Sequence, residues 1–234
     1  MDAVQKHMTA DSMESYTDLI DKTQTEVARR LQGQQAGHGM DHILRVLSMA
    51  RQIQAEVGGD RLVIELAALL HDVGDAKFHQ GVERSAEFSR AILASMQAPP
   101  ELIEHVVTIV DNISFRKGVA ASTLSLEGQV VQDADRLDAL GAIGIIRTIE
   151  FGAVMGQPFH TFASEGTCAT ISPTANGLPK TGEQHFYDKL FKLRDRLNTV
   201  PAKRMAASRE KFMKDFLRQF YLECGVTHAN ARLE

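Results

Sequence analysis

Apolar residues recur at three- and four-residue steps along almost all of this 234-residue chain, and no segment alternates apolar with polar residues long enough to suggest a sheet. The chain is therefore committed to helices. Between Asp41 and Val57 the residues Ile43, Val46, Leu47, Ala50, Ile53 and Val57 share one face, and Gly58-Gly59 ends the run. Asp60 can cap a second helix through Leu62, Ile64, Leu66, Leu69 and Leu70, which closes near His71 to Gly74. Being apolar on nearly all sides, that helix belongs at the centre of the fold. Further helices are expected over Glu83 to Met96, over Glu101 to about Ile113 after the Pro99-Pro100 stop, and over Glu127 to Met155 with a break near Gly141 or Gly144.

Gly156 to Gly182 reads as a long loop, marked by Pro158, Gly166, Pro173, Asn176, Gly177 and Pro179. Beyond it, Phe186, Leu190, Leu193 and Leu197 make one helical stripe, and Met205, Phe212, Phe216, Phe220 and Cys224 make another after Pro201. The expected organisation is a polar N-terminal segment over 1–24, helical in part, a core over 25–155, the loop over 156–182, and C-terminal helices over 183–234 packed on the same core. A chain of this length can bury enough apolar surface without disulfides or structural metals.

Charge narrows the partners. With 26 basic against 30 acidic residues, a net of −4, the chain offers no electrostatic footprint for nucleic acid or an anionic membrane. Cys168 and Cys224 stand far apart with no CxxC, which argues against a disulfide framework or a thiolate zinc site and for a reducing, cytoplasmic setting. Met1 to Tyr16 is polar and acidic where a signal peptide needs a basic start and an apolar run, and Ala139 to Ile146 is too short to span a bilayer.

Chemistry gathers in three short segments: Gly37-His38-Gly39-Met40-Asp41-His42, His71-Asp72-Val73-Gly74-Asp75, and Asp133-Ala134-Asp135-Arg136-Leu137-Asp138. His42 lies beside the apolar face of its helix, and His71-Asp72 closes the leucine-rich one. Polar groups there are costly unless satisfied, by a divalent metal or by a structural hydrogen-bond network. Two neutral imidazoles and two carboxylates form a mixed nitrogen and oxygen set that suits Mn, Fe, Co, Ni or Zn better than an all-oxygen Mg or Ca cage. Among the third segment's carboxylates, Asp133 can cap a helix and Asp138 can face solvent.

His42, the adjacent His71-Asp72 and the distant Asp135 look like the H…HD…D signature of the HD-domain metal-dependent phosphohydrolases. The similarity includes Leu69-Leu70-His71-Asp72-Val73-Gly74-Asp75 and Asp133 to Gly144, and runs through His185 to Leu190, covering about residues 25 to 224. It is strongest to small, single-domain bacterial HD proteins, some of which are nucleotide pyrophosphohydrolases. The resemblance implies an all-α HD-domain helical bundle and one divalent metal held by His42, His71, Asp72 and Asp135, commonly Mn or Fe, with Co, Ni, Zn or Mg as alternatives.

It also implies a small-molecule phosphate substrate, a nucleotide. The preferred reaction is hydrolysis of (deoxy)nucleoside triphosphates to monophosphate and pyrophosphate; a 5′-nucleotidase and a non-catalytic nucleotide or metal sensor are the alternatives. Asp75, four residues after His71, shares its face if the helix continues, and occupies a place where HD relatives put a group acting in catalysis. Otherwise it is a solvent-facing carboxylate at a helix end. His38, Lys77 and Lys189 are candidate phosphate contacts. Lys189, with Lys192 and Arg196 at i, i+3 and i+7, equally fits a solvated basic stripe. A two-metal site would need further histidines, but His105 stands alone, and Val110 to Phe115 lacks the His-Ser run of dinuclear relatives. The absence of a Gly-Tyr-Pro motif counts against a cyclic dinucleotide phosphodiesterase.

Overall fold

Helices α1 (Ala10–Arg30), α2 (Met40–Val57), α3 (Arg61–Leu70), α4 (Ser85–Ser95) and α5 (Pro100–Asn112) follow one another, and α6 (Leu126–Asp138) leads into α7 (Gly141–Val154), α8 (Gly182–Asp188) and α9 (Val200–Glu223). The computed structural model describes residues 10–32, 39–76, 79–113, 123–161 and 181–225, and among them there is no strand. Nor is any described helix long and apolar enough to cross a membrane. Contacts gather the chain into two compact units, divided within α6 between Val131 and Gln132.

In the first unit α3 is the hub, touched by α1, α2 and α5, while α4 packs on α5. Every residue of α3 from Val63 to Leu70 is buried, and each of Leu66, Leu69 and Leu70 gains roughly 1.5–3 kcal/mol from leaving water. Its start is fixed by Asp60, whose carboxylate accepts from the amides of Leu62 (2.9 Å) and Val63 (3.2 Å). The one charge on this helix interior, Glu65, is fully buried, but Arg51 of α2 grips both its oxygens (2.9 and 2.6 Å) and Arg61 adds a third contact at 2.7 Å. Burial alone would raise its pKa; the two guanidiniums outweigh that and hold it below the usual range. Helix α1 has a face that its polar sequence hides: Ile20, Thr23 and Val27 are buried, and so is Leu31 just beyond its end.

The second unit holds the end of α6 with α7, α8 and α9. The break between α6 and α7 falls at Ala139-Leu140, where Gly141 takes a φ of +73°. Two expectations need correction. The Phe186 to Leu197 stripe is not one α-helix: α8 stops at Asp188, and two 3₁₀ turns, Leu190–Lys192 and Arg194–Arg196, follow it. Leu190, Leu193 and Leu197 are buried all the same, because spacings of three and four suit both helix types. On α9 the buried face is Ala202, Ala206, Met213, Leu217 and Tyr221, one position away from the expected stripe, and Phe212 is half exposed. Phe159 meets Phe186, Phe216 and Phe220 edge-on, with ring centroids 5.1–6.1 Å apart.

Candidate metal centre

His42 sits in the first turn of α2, facing inward with Ile43, Val46 and Leu47, and is 1% exposed. His71 is the residue at which α3 ends, 6% exposed, and Asp72 follows it in a turn over 71–74. The two imidazoles meet edge to face, with Nε2 of His42 3.2 Å from Nε2 of His71. Nδ1 of His71 lies 2.9 Å from the Ala68 carbonyl. A carbonyl only accepts, so Nδ1 carries the proton, and in the neutral ring the lone pair is on Nε2, toward His42.

Asp72 stands beside both. Its Oδ2 is 3.6 Å from Nε2 of His42 and its Oδ1 is 3.7 Å from Nε2 of His71. Separations of this order allow donor atoms to share one ion about 2.1 Å away. These three residues are the described His/Asp/Glu group whose donor atoms gather this closely, all within 4.8 Å. The nitrogen and oxygen set and its spacing therefore fit a divalent transition metal.

The turn carrying Asp72 is tightly built. Val73 donates to the Leu70 carbonyl and Asp75 to the Asp72 carbonyl, each at 3.2 Å. A β-carbon on Gly74 would lie 2.5–2.8 Å from backbone atoms of Arg84 and Ser85, so only glycine fits. Because α3 stops at Leu70, the condition under which Asp75 would share the face of His71 is not met: Asp75 is half-buried beyond the turn, one residue past Gly74.

The third segment sorts its carboxylates. Asp133, fully buried, accepts from the amides of Asn198 (2.8 Å) and Thr199 (2.7 Å), from Asn198 Nδ2 (2.9 Å) and from Thr199 Oγ1 (2.8 Å), capping the start of α9. Burial pushes its pKa up in spite of these bonds. Asp138 does not face solvent: it is buried and paired with Arg147 at 2.8 Å. Asp135, on the same helix, is half-buried. Lys189 is half-buried at the end of α8. Lys192 and Arg196, expected in a basic stripe with it, lie in the 3₁₀ turns and are exposed, as a solvated stripe would be. His38, Lys77 and residues 162–180 of the Gly156 to Gly182 loop lie outside the described residues.

The HD-domain family profile matches residues 39–140. YpgQ of Bacillus subtilis, a protein without an assigned function, is 33% identical over 201 residues, 85% of this chain and 90% of its own. The structure of an HD-superfamily hydrolase from Bacillus thuringiensis is 38% identical, with a TM-score of 0.71 over 89% of this chain and 97% of that one. Bacillus subtilis YpgQ, solved in complex with ADP, superimposes with a TM-score of 0.72 at 30% identity, covering 89% of this chain and 96% of YpgQ.

Proposed function

The chain belongs to the HD-domain superfamily of hydrolases, and from that premise we propose that it is a metal-dependent phosphohydrolase that cleaves (deoxy)nucleoside triphosphates to monophosphate and pyrophosphate. The observation that carries this reading is the convergence of His42 Nε2, His71 Nε2 and the Asp72 carboxylate at 3.2–3.7 Å. Asp135 is the fourth ligand on the order of the motif. Its neighbours support the choice, since Asp133 is committed to the start of α9 and Asp138 to Arg147.

His42, His71, Asp72 and Asp135 would hold an ion, Mn or Fe first, which would supply Lewis acidity toward a phosphoryl oxygen and toward water, whose pKa it would lower to about 7. Asp75 accepts the proton of the attacking water. Attack on the α-phosphorus breaks the α–β bridging P–O bond, and pyrophosphate leaves. His38, Lys77 and Lys189 offset the negative charge of the phosphates. A chain with a net charge of −4 must bind a polyphosphate through such local cations. The ADP complex of YpgQ supports a nucleotide as the substrate class.

Purified protein, metal-stripped and reloaded with Mn²⁺, is to be incubated with nucleoside mono-, di- and triphosphates, and the products resolved by chromatography. The expected result is monophosphate and pyrophosphate from triphosphates. Release of inorganic phosphate from monophosphates alone would replace this reading with a 5′-nucleotidase.

A further inference from the structure

Asp72 lies in the turn past the end of α3 and Asp75 directly after it, where helical hydrogen bonding no longer fixes the chain. The turn's own bonds, to the carbonyls of Leu70 and Asp72, are both 3.2 Å long. A segment about ten residues further along the chain holds it instead. The amide of Gly74 donates to Ser85 Oγ at 3.1 Å, and the Gly74 carbonyl accepts from the amide of Arg84 at 2.9 Å. Glu83 adds a bridge: one oxygen accepts from the amide of Ser85 (2.9 Å) and the other from that of Ala76 (3.4 Å). Ser85 is 2% exposed in the first turn of α4, and its carbonyl accepts from Ser89 Oγ at 2.6 Å. The clamp therefore grips the peptide between Asp72 and Asp75 and the residue just after Asp75.

We propose that Ser85 is a positioning residue for the metal centre: its buried hydroxyl fixes the Gly74 peptide and so aims Asp72 at the two imidazoles and sets where Asp75 stands. The role rests on the metal reading above. Removing the hydroxyl leaves a buried amide without its acceptor, and the turn relaxes at the residue that bears the ligand. Groups that orient metal ligands in this way typically cost 10- to 100-fold in affinity when lost.

The test is Co²⁺ titration of the metal-stripped full chain, read by affinity and by the visible d–d spectrum, beside the thermal midpoint of the metal-free protein. Ser85→Ala is expected to weaken Co²⁺ binding about 10-fold and to shift the spectrum, and Ser85→Thr, which keeps the hydroxyl, to restore both. Thr23→Val removes another fully buried hydroxyl of the first unit, one bonded to the Leu19 carbonyl and to Met96. It should lower the thermal midpoint and leave Co²⁺ affinity and spectrum as in the wild type. A Ser85→Ala protein with wild-type affinity and spectrum, whatever its thermal midpoint, would overturn the proposal. Wild-type protein that binds no Co²⁺, or a His71→Ala variant that binds it undiminished, would overturn the metal reading and the clamp's role with it.

Discussion

Each unit of the chain buries imidazole beside carboxylate, and the two do different things with the pair. In the second unit Nδ1 of His160 hydrogen-bonds directly to Glu183, the side chains 5% and 7% exposed, against the rings of Phe220 and Tyr221. Donor meets acceptor, and the amides of Gly182 and Glu183 bond to the carbonyls of Pro158 and Phe159 beside them (3.0 and 2.9 Å). In the first unit two Nε2 atoms face each other and the carboxylate stands 3.6 and 3.7 Å off, beyond hydrogen-bond reach of either. The residue types are the same, but one geometry closes a pair and the other leaves donor atoms around a common point. That convergence, rather than the presence of histidine and carboxylate, is what would let the first cluster hold a metal.

The largest effect separating the two should come from the ligands. Asp72→Ala is expected to lower nucleotide hydrolysis by at least about 10³-fold, measured at saturating Mn²⁺, with the helical circular dichroism retained. Gly74→Ala drives a β-carbon into the backbone of Arg84 and should cost on the order of 4 kcal/mol in urea unfolding. Glu183→Ala removes a buried hydrogen-bond partner of His160 and should cost roughly 1–3 kcal/mol in the same assay, yet leave metal content unchanged. If metal were lost there too, the distinction between the clusters would collapse.

A smaller effect concerns acid. Glu65 has its folded pKa held below its ordinary 4.5, so the unfolded chain binds more protons there and stability falls as pH drops below about 4.5. Glu65→Gln should flatten that part of the stability curve, measured as urea midpoints against pH. Asp133 runs the other way: its raised folded pKa makes stability fall as pH rises through the carboxylate range. An unaltered acid slope in Glu65→Gln would show that the Arg51 and Arg61 contacts do not hold Glu65 ionised.

His42, His71 and Asp72 were legible in the sequence because each interrupts an apolar pattern at a helix start or end, where a polar group needs a reason. Asp60 and Gly58-Gly59 were legible as local signals, read within a few residues. What was hidden depends on distant partners. Ser85 and Glu83 look like ordinary residues at the start of a helix, and only the fold brings them to Gly74, while Asp133 finds its donors 65 residues away. Register was lost where neighbouring positions are both apolar, as with Phe212 and Met213, since either can face the core. The Phe186 to Leu197 stripe misled because its spacing serves 3₁₀ turns as well as an α-helix.

The most direct measurement is the metal content, by elemental analysis, of wild-type, His42→Ala, His71→Ala and Asp72→Ala protein saturated with Mn²⁺ or Co²⁺ and then desalted. A centre built from these three side chains predicts about one ion per wild-type chain and less than roughly a tenth of that in each variant. Full occupancy in all three variants, or none in the wild type, would contradict it.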